Sequence, residues 1–168
     1  TDFAIVKDLN MNTLRVFIPF QTFNRSGKES EYLQKLDNLL EIAGEFNLAV
    51  LLTLFDFPVG FHLDTYPEYN LHLERIVEHV KDNPALLAWN IKNEPDLDFE
   101  VHASQAVLDW LGFFIDRLRD IDPNHPITAS WSDMKYLPIL AEKLDFLSFH
   151  MYIEDSNWQN TLQEYTLA

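Results

Sequence analysis

The chain has 168 residues, 47% of them hydrophobic, with four glycines, eight prolines and no cysteine; this is enough apolar material for one domain with a substantial core and excludes a disordered or collagen-like chain. Asp and Glu number 27 against 12 Lys and Arg, and the formal net charge of -15 argues against nucleic acid, whose phosphate backbone demands a basic footprint. No apolar run approaches the ~18 residues that span a bilayer, and the absence of cysteine removes disulfides and thiolate metal sites while fitting a cytoplasmic, periplasmic or secreted location equally.

In chain order, a helix from Asp2 to Asn10 precedes a β-rich run from Thr13 to Phe20. Leu33, Leu36, Leu39, Leu40, Ala43 and Phe46 then fall on one helical stripe, with Glu31, Lys35, Asn38 and Glu45 on the wet side. A second β-rich run, Ala49 to Phe57, leads into a long loop from Phe57 to Tyr69 and a stripe of Leu73, Ile76, Val77 and Val80. The third run, Leu87 to Asn93, is followed by the stripe Val107, Leu111, Phe114, Ile115 and Leu118, and the fourth is Ile127 to Trp131. A shorter stripe of Leu137, Leu140, Ala141 and Leu144, with Pro138 tolerable only near its start, precedes the fifth run, Phe146 to Tyr152, and a last helix begins at Thr161. This βαβα order predicts parallel strands joined by right-handed crossovers. No linker or low-complexity run divides the chain, which reads as one domain over 1–168.

Two α/β architectures compete, and the two faces of each strand separate them. A doubly wound sheet buries both faces and reads nearly all apolar. Here Ser148, His150 and Tyr152 oppose Leu147, Phe149 and Met151; Thr128, Ser130 and Ser132 oppose Ile127, Ala129 and Trp131; Asn90, Lys92 and Glu94 oppose Trp89 and Ile91. One polar face and one apolar face suit a (β/α)8 TIM barrel, and no glycine-rich turn follows the first strand as a nucleotide-binding sheet would want. A full barrel has eight strands and ~250 residues, so the expectation is an incomplete one, from about helix 1 through strand 6 and part of helix 6, truncated at both ends. The first residue is not Met, so a signal segment can precede it.

The third strand ends in Trp89-Asn90-Ile91-Lys92-Asn93-Glu94-Pro95, which places Glu94 at the carboxyl end where barrel active sites are built. Asn93-Glu94-Pro95 resembles the Asn-Glu-Pro motif of clan A glycoside hydrolases, the superfamily of family 5 cellulases and mannanases. Arg15 resembles the arginine of that family's second strand, and His150-Met151-Tyr152 the His-x-Tyr ending its sixth. The resemblance implies a retaining glycosidase acting on β-linked poly- or oligosaccharides. In it Glu94 is the general acid and base, Asn93 bonds the sugar 2-OH, and Arg15 keeps the nucleophile ionised against barrel desolvation. His150 and Tyr152, two residues apart on one strand, orient the nucleophile or sugar hydroxyls. The family's nucleophile is a second glutamate on its seventh strand, beyond this chain, so the isolated chain is expected to be inactive.

The alternatives are plainer. Glu94 can be a solvated loop carboxylate, Arg15 a core cation, and His150 and Tyr152 satisfied core groups. Lys92 reads as an interior structural partner, or as the Schiff-base lysine of an aldolase-type barrel; a non-catalytic carbohydrate-binding fragment is the other rival. Asp56 at the rim of the second strand and the aromatic residues Phe20, Phe23, Tyr66, Trp131 and Trp158 are candidate sugar contacts, since rings stack on the apolar faces of sugars, although core packing is the commoner fate of each. His62 with Asp64, and the acids Asp96, Asp98 and Glu100, lack a trustworthy metal spacing, so neither metal nor cofactor is predicted. The expected partner is a carbohydrate substrate, with no nucleic acid or membrane, and exposed barrel edges are expected to favour self-association.

Overall fold

The computed structural model describes residues 2–24, 27–56 and 60–151. Five parallel strands lie in the order β1 (Thr13–Phe17), β2 (Ala49–Phe55), β3 (Leu86–Asn93), β4 (Ile127–Trp131) and β5 (Ser148–Phe149). Each pairs with the next in the chain, which is the connectivity of consecutive (β/α) units in a barrel. The helices are α1 (Asp2–Asp8), the single turn α2 (Phe20–Phe23), α3 (Glu29–Glu45), α4 (Tyr66–Val80) and α5 (Ser104–Ile121).

Two helix-to-strand connections use one device. After α3, Asn47 takes a left-handed φ of 50°, its N–H bonds the Gly44 carbonyl, and the Leu48 N–H reaches back to the Ala43 carbonyl. After α1, Asn10 does the same at φ 57°, with its own N–H on Lys7 and that of Met11 on Val6. Both are Schellman motifs, in which asparagine accepts the left-handed position and the last helical carbonyls find donors. Each delivers the chain within three residues to the first residue of a strand, so β1 and β2 start in register as Thr13 opposite Ala49.

Strand ends are tighter than the apolar runs suggest. β1 stops at Phe17, and α2 begins right after Pro19. The stripe at Leu137 to Leu144 is not an α-helix but two 3-10 turns, Met134–Tyr136 and Ala141–Lys143. Pro138 brings no N–H and Leu140 sits at φ 55°, and together they interrupt the helical ladder. The helix expected from Thr161 lies outside the described residues.

The core fills the space between the sheet and α3, α4 and α5. Its densest part is aromatic: Trp110 and Phe114 lie 4.5 Å apart between centroids, and Phe55 meets Trp110 at 4.9 Å. His72 is fully buried within it, edge-on to Phe20 and Phe23. Its Nε2–H donates to the Leu54 carbonyl at 3.1 Å, and its Nδ1 accepts from Asn24 Nδ2 at 2.9 Å. The neutral ring therefore satisfies both nitrogens, while burial disfavours the charged form and brings its pKa from 6.5 down to about 4.

This depression has a signed consequence. Between pH 6.5 and about 4 the unfolded chain binds the proton that the folded chain refuses, so stability falls as pH falls through that window and is whole above it. The loss attributable to His72 is expected to reach about 3 kcal/mol by pH 4. Urea denaturation from pH 7 to pH 4 measures it, and His72→Gln, which keeps a donor and an acceptor but no proton to gain, should flatten that part of the profile.

Candidate active site

The site begins with an irregularity in β3. Asn90 is opposite Thr128 but Asn93 is opposite Ser130, so three steps along β3 match two along β4, as in a β-bulge. A regular strand would send positions 90 and 93 to opposite faces; the bulge brings them to the same one. Asn90 Nδ2 donates to Thr53 Oγ1 at 3.1 Å, the same oxygen accepts from Arg15 Nε at 3.0 Å, and Arg15 Nη2 donates to Asn93 Oδ1 at 2.8 Å. The strand then ends. Glu94 has a left-handed φ of 44°, a conformation costing about 1 kcal/mol for a side-chain-bearing residue, and its N–H is held by the Ser130 carbonyl at 2.6 Å. Asn93 and Glu94, adjacent in sequence, can both face the mouth of the sheet only because of this ending.

Arg15 is the hub. Its guanidinium donates to Thr53 on β2, to Asn93 on β3 and, through Nη1, to His150 Nε2 just beyond β5 at 2.5 Å, and it stacks 4.6 Å over the ring centre of Phe17. An arginine only donates, so His150 Nε2 accepts and Nδ1 carries the proton. That proton points at Glu94 Oε1, 2.5 Å from Nδ1. The result is a directed chain, Arg15 to His150 to Glu94, with a neutral imidazole donating to the carboxylate; Asn93 Nδ2 lies 3.4 Å from the other oxygen, Oε2. Arg15, Phe17, Asn93, Phe149, His150 and Met151 line an open pocket there. A buried carboxylate held by imidazole and amide donors, next to residues that line an open pocket, is a group of the kind that can exchange a proton with a polar ligand.

Lys92 departs from the expected parity. It does not join Glu94 on the strand face; the bulge turns it to an ion pair with Asp98 in the 3-10 turn Leu97–Glu100, Nζ to Oδ2 2.9 Å, with the Phe61 ring 6.0 Å away. Lys92 is fully buried. Burial lowers its pKa against the opposing charges of Asp98, Asp56 and Glu94, and burial raises that of Asp98 against Lys92. Asp56 closes β2 at the rim.

The aromatic candidates are placed otherwise than as sugar platforms. Trp131 is fully buried and packs on Tyr136 at 5.9 Å. Phe20 is spent on Tyr69 and His72, Phe23 on Tyr32 and His72, and Tyr66 on Phe113 and Phe114 over α5. Each packs its ring on neighbouring rings, Phe23 and Trp131 buried and Phe20 and Tyr66 partly so, because ring burial is favourable. Tyr152 and Trp158 lie outside the described residues. Three residues of the site were not singled out from the sequence: Thr53 and Asn90, which only the alternation of polar and apolar positions could have flagged, and Phe17, two residues after Arg15 and hence on its face. Among the described residues, no group of three or more His, Asp or Glu could hold a metal.

Comparison with known proteins gives the family. The model of the Cellulase family (glycosyl hydrolase family 5) matches residues 1–167, and the chain belongs to that family. It is similar to mannan endo-1,4-beta-mannosidase F of Aspergillus clavatus, 24% identical over 106 residues that cover 52% of this chain and 24% of that protein. It is also similar to a beta-xylosidase of Phanerodontia chrysosporium, 21% identical over 147 residues, covering 75% of this chain and 30% of that one. Among solved structures it resembles the endo-1,4-beta-mannanase of Rhizomucor miehei, with TM-score 0.73 at 16% identity over 99% of this chain and 68% of that one. The beta-1,4-mannanase of the sea hare Aplysia kurodai gives TM-score 0.69 at 20% identity, over 90% of this chain and 62% of that one. These likenesses establish the barrel fold, here as five of its strands. The chain spans about a quarter of the length of the Aspergillus relative it matches, 24%.

The hub is testable through its shared acceptor. Thr53→Val keeps the volume but deprives Arg15 Nε and Asn90 Nδ2 of the oxygen they both use in a fully buried position. Leaving buried donors unmet is expected to destabilise the fold by about 2 kcal/mol in urea denaturation; a change under about 0.5 kcal/mol would mean the hub is not anchored at β2.

Proposed function

We propose that the protein carrying this chain, as a member of glycosyl hydrolase family 5, hydrolyses β-linked polysaccharides with retention of configuration, and that Glu94 is its general acid and base. The observation that carries this is the carboxylate of Glu94 at the end of β3, accepting from His150 Nδ1 and flanked by Asn93. The mannanases among its relatives favour a β-1,4-mannan as substrate. Lys92, paired with Asp98 and absent from the lining of the pocket, weighs against a Schiff-base lysine.

The residues divide the work by their chemistry. In the first step Glu94, protonated, gives its proton to the glycosidic oxygen as the bond to the anomeric carbon breaks; in the second its carboxylate takes a proton from the water that attacks that carbon. The nucleophile is a second carboxylate ~5 to 5.5 Å from the first, and Arg15 is the cation at hand to keep it ionised. Asn93, whose Oδ1 is fixed by Arg15, presents its amide to the sugar 2-OH, a bond that strengthens as positive charge develops on the ring. His150 cannot act as the acid in its neutral form with Nε2 occupied by Arg15; its part is to orient Glu94. Tyr152 is proposed to orient the nucleophile, and Asp56 to contact substrate at the rim.

Two measurements test this. Glu94→Gln in the full-length protein should reduce hydrolysis of β-1,4-mannan by about 10²- to 10⁴-fold without changing the melting temperature by more than a few degrees, and azide should restore turnover of an activated aryl glycoside as a glycosyl azide of retained configuration. Full activity in the variant overturns the assignment, and glycan binding without any turnover in the wild type would make the chain a binding module. Separately, the 168-residue chain on its own is proposed to self-associate. β1 and β5 are the sheet's edges among the described residues, and Ile5, Leu9, Met11 and Leu147 beside them are at least half exposed, a combination that invites edge pairing. Sedimentation velocity should show oligomers, and a monodisperse monomer refutes the idea.

A further inference from the structure

We propose that Asp96 is a positioning residue for Glu94, holding the catalytic carboxylate in its left-handed conformation by tying the chain beyond it to the end of the neighbouring strand. Asp96 is almost wholly buried, yet it makes no contact with the pocket. Its two carboxylate oxygens are spent on one residue: Oδ1 accepts from the Ser132 N–H at 2.9 Å, and Oδ2 accepts from the Ser132 hydroxyl. Ser132 follows directly on β4. A buried carboxyl whose two oxygens both meet donors of one residue ties the two segments together, because a polar group stays out of water only where its hydrogen bonds are satisfied inside.

The geometry shows what is held. Glu94 breaks the strand at φ 44° and bonds Ser130 through its N–H, while its carbonyl, the next acceptor in line for β4, is taken by the Leu97 N–H. The main chain therefore offers the Ser132 N–H no acceptor at Glu94. The Asp96 side chain supplies one, taking up the Ser132 N–H two residues along from Ser130. Glu94 thus sits between its own backbone tie and a side-chain tie two residues later, and the loop continues into a 3-10 turn in which Leu97 and Asp98 bond back to the carbonyls of Glu94 and Pro95. With Asp96 released, one anchor of the turn is gone and Glu94 is free to relax towards the ordinary φ region, carrying its carboxyl away from His150 and from any leaving group.

This rests on Glu94 being the acid and base of a glycosidase, and the test separates the two claims. In the full-length protein, kcat/KM for phenyl and 2,4-dinitrophenyl β-mannobiosides is compared among wild type, Glu94→Gln, Asp96→Ala and Asp96→Asn. The dinitrophenolate leaves without a proton, whereas the phenolate needs one, so a misplaced acid is felt on the phenyl substrate alone. Asp96→Ala is expected to lower kcat/KM on the phenyl substrate at least about tenfold and to leave the dinitrophenyl value within about twofold; Asp96→Asn, which keeps an oxygen for the Ser132 N–H, should recover most of the loss. Equal losses on both substrates, or none, overturn the positioning role while a collapse in Glu94→Gln on the phenyl substrate leaves the acid assignment standing. Amide exchange needs no turnover: protection should fall at Leu97, Asp98 and Ser132 in Asp96→Ala, and unchanged exchange there overturns the tie even if Glu94 proves not to be the acid.

Discussion

The mouth of this sheet depends on one extra residue in β3. Between Asn90 and Asn93 the strand takes three steps while β4 takes two, and everything that converges on Glu94 follows from that mismatch. Without it, Asn93 would point into the helical layer and Arg15 would lose its acceptor on β3. Lys92, displaced by the same bulge, finds Asp98 instead, so a single backbone irregularity both assembles the polar cluster and supplies a buried ion pair beneath the loop that follows. Bulges re-aim side chains next to active sites for this reason.

A second constraint is chemical. Arginine donates and never accepts, so whatever faces it is fixed as an acceptor, and a histidine so fixed has its proton on the other nitrogen. Arg15 thereby decides the tautomer of His150 from across the sheet and aims a neutral N–H at the Glu94 carboxylate. The arrangement couples three strands, β1, β3 and β5, through side chains alone, and Thr53 ties β2 to it from below. The cluster proposed to serve chemistry is in this way also the polar seam of the barrel interior, where each group must find a partner because water is scarce.

Much of this was legible in the sequence, and the parts that were not share a cause. The apolar stripes located α3, α4 and α5, and the β-rich runs located all five strands, because both signals are carried by many residues at once. The candidate residues Arg15, Asn93, Glu94 and His150 stood out through their order along the chain. What regular alternation could not say was that β3 bulges between Asn90 and Asn93, and alternation carried through that stretch put Lys92 on the face of Glu94. The 3-10 turns around Pro138 were hidden behind a stripe of leucines whose spacing is helical but whose backbone is interrupted by a proline and by Leu140 at positive φ. Asp96 stood out only as one of three neighbouring acids without a metal spacing, because its partner, Ser132, is 36 residues away; no local pattern announces such a bond.

The fate of the aromatic residues bears on how a glycan would be held. Phe20, Phe23, Tyr66 and Trp131 were all plausible platforms, and each packs on neighbouring rings: Phe23 and Trp131 are buried, while Phe20 and Tyr66 keep part of their surface exposed. An aromatic ring serves the core first, since burying its area stabilises the fold whether or not a ligand is present. Phe17 is the exception. It lines the same pocket as Arg15, Asn93 and His150 and keeps 38% of its surface exposed at the carboxyl end of β1. One face of its ring lies under the Arg15 guanidinium, and this contact makes the ring part of the hub's support. On the function proposed above, a sugar in this half of the site would meet Arg15, Asn93 and His150, polar groups whose directions are set by the same bonds that hold the strands together, beside the apolar Phe17, Phe149 and Met151.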